Sequence, residues 1–157
     1  MKRLFLLAAP ALALALGACA SAPRMSDSER LALHRAHAGE PVASMPLRGQ
    51  LHGWNALGNS AVVVWTRPRE AWLLDLGGPC QDLDYATAIA VNARFSRIQA
   101  RVDSITPLGS MVGQVGRIPC RIMEIRPLDS AALEQARDGL REATVMPGTE
   151  TPEPRGD

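Results

Sequence analysis

The clearest chemistry in the sequence stands near its start. Leu16-Gly17-Ala18-Cys19 has the form of a bacterial lipobox. Small residues at 17 and 18 suit a narrow peptidase site, and the Cys19 thiol is the acceptor for a diacylglyceryl group. The residues before it agree. Lys2 and Arg3 make a basic start, and residues 4–16 are an apolar run of Leu, Ala and Phe broken by Pro10. That run is shorter than the ~20 apolar residues of a membrane-spanning helix, and behind a basic start it reads as a secretory signal. Residues 1–18 are therefore expected to be a signal peptide, with Cys19 the first residue of the mature chain and its lipid-bearing membrane anchor. Two or more acyl chains hold a protein essentially permanently where one chain is marginal. Ala20 stands in place of the Asp that retains such proteins at the inner membrane. The expected location is the cell envelope, at the outer membrane and facing the periplasm.

Cys80 and Cys120 remain. In an oxidising compartment an isolated pair is most simply a disulfide. The rival is a two-cysteine metal or redox site, against which stand the lack of Cys-x-x-Cys spacing and of a nearby His. His34 and His37, at i and i+3 with Glu40 beyond, could present imidazoles to a metal. Without a third firm ligand the plainer reading is a pair of exposed histidines, and no metal or cofactor is expected. His52 reads as a partly buried strand residue. Asp75, Asp82, Asp84, Asp103 and Glu124 are the carboxylates nearest the strand-like segments. A converging pair would do acid–base work, and Asp82-Leu83-Asp84 could help hold calcium. The plainer readings are a helix cap for Asp82, a solvated strand face for Asp103, and pairing of Asp75 and Glu124 with Arg67, Arg121 or Arg126. No nucleophile motif is present: there is no Gly-x-Ser-x-Gly and no His-Glu-x-x-His. Trp54, Trp65 and Trp72 either line a ligand groove or sit in the core.

These residues need elements to carry them. Removing the signal leaves about 140 residues, enough for one modest core. The full chain has a net charge of +1, which gives no reason to expect a nucleic-acid partner. Residues 19–25 read as a lipidated tether. Ser26-Asp27-Ser28-Glu29 has the pattern of a capping box, predicting a helix to Ala38 that Gly39 ends. Residues 51–57 read as a strand leading into Gly58-Asn59, a two-residue hairpin signal. Residues 61–66 are apolar on both faces, as in a covered central strand. A turn at 67–70 leads to a strand over 71–76, with Trp72, Leu74 and Leu76 on one face. Asp82 is placed to cap a short helix to about Ala90. Residues 97–105 alternate, with Ile98, Ala100 and Val102 on one face and Gln99, Arg101 and Asp103 on the other. Residues 106–117 read as a Gly-rich loop. A last strand over 118–125 is ended by Arg126-Pro127, and Asp129 or Ser130 caps a helix to about Ala143 with Leu133, Ala136 and Leu140 on one stripe. Residues 144–157 read as a disordered tail. The sum is an α+β fold in one domain, residues 26–143: a small antiparallel sheet, able to curl into a half-barrel, flanked by an N-terminal and a C-terminal helix.

Several stretches carry a family resemblance: Trp54-Asn55-Ala56-Leu57-Gly58, then Val64-Trp65-Thr66-Arg67-Pro68-Arg69-Glu70-Ala71-Trp72, then Gly78-Pro79-Cys80-Gln81-Asp82-Leu83-Asp84-Tyr85. Pro119-Cys120-Arg121-Ile122-Met123-Glu124-Ile125 closes the series. In order and spacing this is similar to the DUF6491 family of small proteobacterial lipoproteins, common among Xanthomonas-like bacteria and of unknown function. The resemblance implies that Cys80 and Cys120 are the family's cysteine pair. Position 72, often Tyr there, is Trp here, which keeps the aromatic and loses the hydroxyl.

The functional expectation is a non-catalytic binding or structural module of the envelope, held to the membrane through Cys19. It would meet a protein partner or a small envelope component on a surface that includes Trp54, Trp72, Asp82 and Asp103. The alternatives are a hydrolase using carboxylates near Asp82 and Asp103, and an inhibitor that inserts loop 106–117, tipped by Met111-Val112, into another protein. Replacing Cys19 with Ala is expected to abolish acylation. Mass analysis of envelope-extracted protein checks this, and a mutant that still carries acyl chains would refute the anchor.

Overall fold

The computed structural model describes residues 24–109 and 118–145. The segment expected to be a signal peptide, Cys19, the tip of loop 106–117 and the tail after residue 145 lie outside the described residues. Two helices flank an antiparallel β structure: α1 (Asp27–Ala36), β1 (Ser44–Pro46), β2 (Gly53–Ala56), β3 (Ala61–Arg67), β4 (Glu70–Leu76), a one-turn 3-10 helix (Leu83–Tyr85), β5 (Ala88–Asn92), β6 (Arg97–Gln99), β7 (Ser104–Leu108), β8 (Cys120–Leu128) and α2 (Ser130–Val145). Six strands form one sheet in the order β2-β3-β4-β8-β7-β5, and β1 pairs with β6 in a separate ribbon. The fold is α+β, as expected, and the sheet is not closed into a barrel.

β3 organises the sheet. Ala61, Val62, Val63 and Val64 are all buried. Successive side chains on a strand point to opposite faces, so four buried residues in a row require cover on both sides. Ala61 and Val63 face one core with Ala71, Leu73, Leu128 and Leu133, against which Leu31 and Leu33 of α1 pack. Val62 and Val64 face a second core with Leu74, Leu76, Ile122, Ile125, Ile105 and Ile98. Ile122 and Ile125, three apart, would lie on opposite faces of a regular strand. A register shift pairs Asp75 with Glu124 but Leu76 with Ile122, leaving Met123 over, so both isoleucines face the second core.

α1 begins with the predicted capping box: Glu29 N–H donates to Ser26 Oγ, and the Ser26 N–H donates to Glu29 Oε2 at 2.7 Å. The backbone contact holds the Glu29 carboxyl below its ordinary range. The helix stops at Ala36, earlier than expected, and Gly39 is not its terminator. Its N–H donates to the Pro127 carbonyl at 2.8 Å, and a Cβ there would lie 3.1 Å from the Pro127 ring. Arg35 reaches across to Asp75, so Asp75 is paired from α1 rather than from the arginines expected, while Glu124 does pair with Arg126 at 2.9 Å.

Other boundaries differ from expectation for local reasons. The loop after β2 has three residues, with Leu57 donating to Ala61 across Gly58-Asn59-Ser60. The two-residue turn is instead Pro68-Arg69, between the paired Arg67 and Glu70. The helix expected after Asp82 is a single 3-10 turn, and Asp82 makes no side-chain cap. Residues 88–92 are a strand because their alternation pairs with β7. The strand expected over 97–105 is two strands broken at Ala100–Val102, where Arg101 takes a positive φ and Val102 is exposed. β8 runs through Pro127. There the proline ring replaces no needed donor, because its residue faces the 38–42 segment, where Gly39 supplies the hydrogen bond to its carbonyl. α2 is capped by Asp129, which accepts from Ala132 N–H at 3.0 Å. It packs through Leu133, while Leu140 is exposed.

Cys80 and Cys120 form the expected disulfide, with a Cα–Cα distance of 5.6 Å and a sequence separation of 40. It joins the chain after β4 to the start of β8. Closing a loop of that length stabilises the fold by about 4 kcal/mol on the chain-entropy model. The double variant Cys80→Ser, Cys120→Ser is expected to lose roughly 2–4 kcal/mol in denaturant unfolding. An unchanged midpoint would show that the bridge contributes nothing to this fold.

Candidate functional site

The disulfide fixes more than stability. Cys80 N–H donates to the Asn59 carbonyl at 2.7 Å, and Leu76 N–H donates to the Ser60 carbonyl at 2.9 Å. The chain leaving β4 is thus fastened to the β2–β3 loop before it enters the 3-10 turn. In that turn Leu83 is buried and packs in the second core, so its neighbours Asp84 and Tyr85 are held outward. Tyr85 is 80% exposed.

The first turn of α1 arrives at the same place. Gly58, with φ +68°, brings the β2–β3 loop so close that a Cβ would lie 3.2 Å from the Asp27 side chain. Both the backbone angle and the approach call for glycine. Arg30 bridges helix and sheet, donating from Nη1 to Asp27 Oδ1 and from Nη2 to the Ala56 carbonyl, each at 3.0 Å. Ala56 lies on β2, an edge of the sheet.

These pieces enclose a cleft of about 480 Å³, walled by Asp27 and Arg30 of α1, Trp54 of β2, and Leu83, Asp84 and Tyr85 of the 3-10 turn. Trp54 is half-buried and forms part of a second hollow of about 370 Å³, which continues past Leu47, Leu51, Ile89 and Val91. That hollow lies between β2 and β5, the two free edges of the curled sheet. Asp84 makes no hydrogen bond or salt bridge among the described residues. Burial pushes its carboxyl above the ordinary range, the nearby Asp27 charge adds to this, and Arg30 opposes it.

The residues expected at a functional surface are dispersed. Trp54 is at the cleft. Trp72 is half-buried against the second core, and its indole N–H is shut from solvent with no acceptor among the described residues. Asp82 is exposed in a left-handed backbone conformation beside the cleft, and it is not one of the residues that wall it. Asp103 is 2% exposed, not on a solvated face. Its carboxylate accepts from the Gln99 N–H at 2.7 Å, closing the β6–β7 turn. A satisfied turn carboxylate and an exposed loop aspartate do not make the converging pair that acid–base catalysis requires. Asp84 was visible in the sequence among the carboxylates. Asp27, Arg30 and Tyr85 were not singled out as site residues, because only the fold brings them to Trp54.

The histidines also separate. His34 is buried, contrary to the exposed reading, and its Nδ1 lies 2.6 Å from the Arg30 carbonyl. A carbonyl only accepts, so Nδ1 carries the proton. His52 is exposed rather than partly buried. Among the described residues no three His, Cys, Asp or Glu side chains group as metal ligands, and no helix is long and apolar enough to cross a membrane.

The model of a family of unknown function (DUF6491) matches residues 1–144. Neither a curated protein nor a solved structure matches the chain.

Burial lowers the His34 pKa from its ordinary 6.5, and the charges of Arg137, Arg30 and His37 lower it further, against the bond to Arg30. The unfolded chain therefore binds this proton more readily than the folded one. The stability contributed by neutral His34 is present above about 6.5 and is lost as pH falls below it. Urea unfolding at about pH 7.5 and about pH 5.5 is expected to show this loss. It shrinks in His34→Asn, which keeps a donor for Arg30; an equal loss in the variant would contradict the assignment.

Proposed function

We propose that this chain, which belongs to the DUF6491 family, is a non-catalytic binding module of the cell envelope, tethered to the membrane through a lipid on Cys19. Its partner is received in the cleft between α1, β2 and the 3-10 turn. The observation that carries this reading is the pairing of an 80% exposed tyrosine, Tyr85, with the half-buried Trp54 in one walled cleft. Large aromatic side chains held at a concave, partly desolvated surface are the usual anchors of recognition. The parts around them are fixed: Leu83 is buried beneath, the disulfide holds the chain on one side, and the capped helix holds the other. A preformed site loses little freedom when it binds.

The lipobox pattern supports the tether. Six residues lie between Cys19 and the capping serine of α1, so seven Cα-to-Cα steps reach at most about 25 Å of extended chain. A lipid on Cys19 would hold the cleft, which opens beside the first turn of α1, close to the membrane surface. The outer membrane's periplasmic face is the location favoured by Ala20.

The hydrolase alternative loses its support with Asp103 committed to the β6–β7 turn. The inhibitor alternative concerns a loop whose tip lies outside the described residues.

A photo-crosslinking amino acid at position 85, in cells producing the full chain, is expected to yield a discrete adduct. The same group at Phe95, which is 89% exposed on another loop, is expected to yield none. Equal labelling from both positions, or from neither, would remove the cleft as the binding site.

A further inference from the structure

The charges around the cleft do not cancel. Asp27 and Asp84 are negative, and among the described residues Arg30 is the one cation in the wall. Both terminal nitrogens of Arg30 are engaged, one by Asp27 and the other by the Ala56 carbonyl. Asp84 is left with no hydrogen bond or salt bridge among the described residues, beside an exposed aromatic ring. The larger groove, of about 650 Å³, between α2 and the β3–β4 turn differs. Its wall holds Arg69 and Arg137 together with Asp129 and Glu134, so it selects neither sign of charge.

The cleft opens along a sheet edge. Leu57 donates to Ala61, and bonded pairs alternate along an antiparallel ladder. Asn55 and Gly53 therefore turn their amides toward β3, and Trp54 and Ala56 turn theirs outward. Arg30 covers the Ala56 carbonyl. Past Trp54 the hollow continues the path, with the apolar side chains of Leu47, Leu51, Ile89 and Val91 in its wall beside Gln50.

We infer that the cleft takes the basic side chain of an extended partner polypeptide: a lysine or arginine seated between Tyr85 and Trp54 against Asp84, with a neighbouring apolar side chain in the hollow between β2 and β5. An ammonium or guanidinium group is attracted both to aromatic faces and to a free carboxylate. An outward-facing strand edge suits an extended chain. This inference rests on the cleft being the binding site and adds the chemistry of the occupant.

Tyr85 is the one tyrosine of the sequence, so the full chain, purified in detergent with carbon-13 tyrosine, gives a single set of ring signals at the cleft. The probes are a blocked Val-Lys-Val peptide, its norleucine counterpart, and ethylammonium. The lysine peptide is expected to shift the Tyr85 signals saturably and the other two to shift them little. Asp84→Asn, an exposed position with no bond to lose, is expected to weaken the lysine peptide by roughly ten-fold. Equal shifts from the norleucine peptide would overturn the cationic assignment while leaving the cleft a binding site. Ethylammonium binding as tightly as the peptide would overturn the polypeptide in favour of a small amine. No shift from the lysine peptide would overturn the inference outright, and crosslinking from position 85 would then decide separately whether the cleft binds anything.

Discussion

Four consecutive residues, Ala61 to Val64, are withdrawn from water on alternate faces of β3, and this double burial governs the rest of the structure. Two helices cover one face through Leu31, Leu33 and Leu133. Among the described residues neither α-helix covers the other face, to which the 3-10 turn gives Leu83. The sheet instead curls over its own second core, with the β1–β6 ribbon supplying Met45 and Ile98. Curling brings β2 and β5 to either side of one hollow without pairing them. Trp54 stands at that seam. The candidate site is where the sheet does not close.

The seam is held from three directions. The disulfide ties the segment before the 3-10 turn to β8, and Cys80 ties it to the β2–β3 loop. The capping box sets the first turn of α1, and Gly58 lets that turn approach the loop. Arg30 joins helix to sheet edge. The Asp27–Arg30 pair is partly exposed, so it adds little stability on its own. Its effect is to occupy the local cation, which leaves Asp84 available.

Features set by neighbouring residues were legible in the sequence. Ser26 and Glu29 marked the start of α1, the valines of β3 marked a covered strand, and Asp129 or Ser130 marked the start of α2. The cysteine pair was legible because, once Cys19 is set aside as the expected lipid acceptor, two cysteines leave one simple bridge. Features set by distant pairing were not. Asp82 followed by apolar residues resembles a helix start, and only the ladder with β7 makes residues 88–92 a strand. The alternation over 97–105 hid a turn, because Asp103 is polar by type yet buried by its bond to Gln99. Pro127 resembled a strand end because its partner, Gly39, lies far away in sequence. Of the site, Trp54 and Asp84 were visible as residues able to bind. Tyr85, Asp27 and Arg30 gain that meaning only from the segments that meet around Trp54.

The central claim is that the Trp54–Tyr85 cleft is covered in the cell and open in the isolated protein. Hydroxyl-radical footprinting of the full chain in intact envelopes, compared with purified protein, reads this directly at side chains. Trp54 and Tyr85 are predicted to be oxidised less in envelopes, while Phe95 reacts equally in both. Equal oxidation of Tyr85 in the two settings, with protection elsewhere on the surface, would contradict the account.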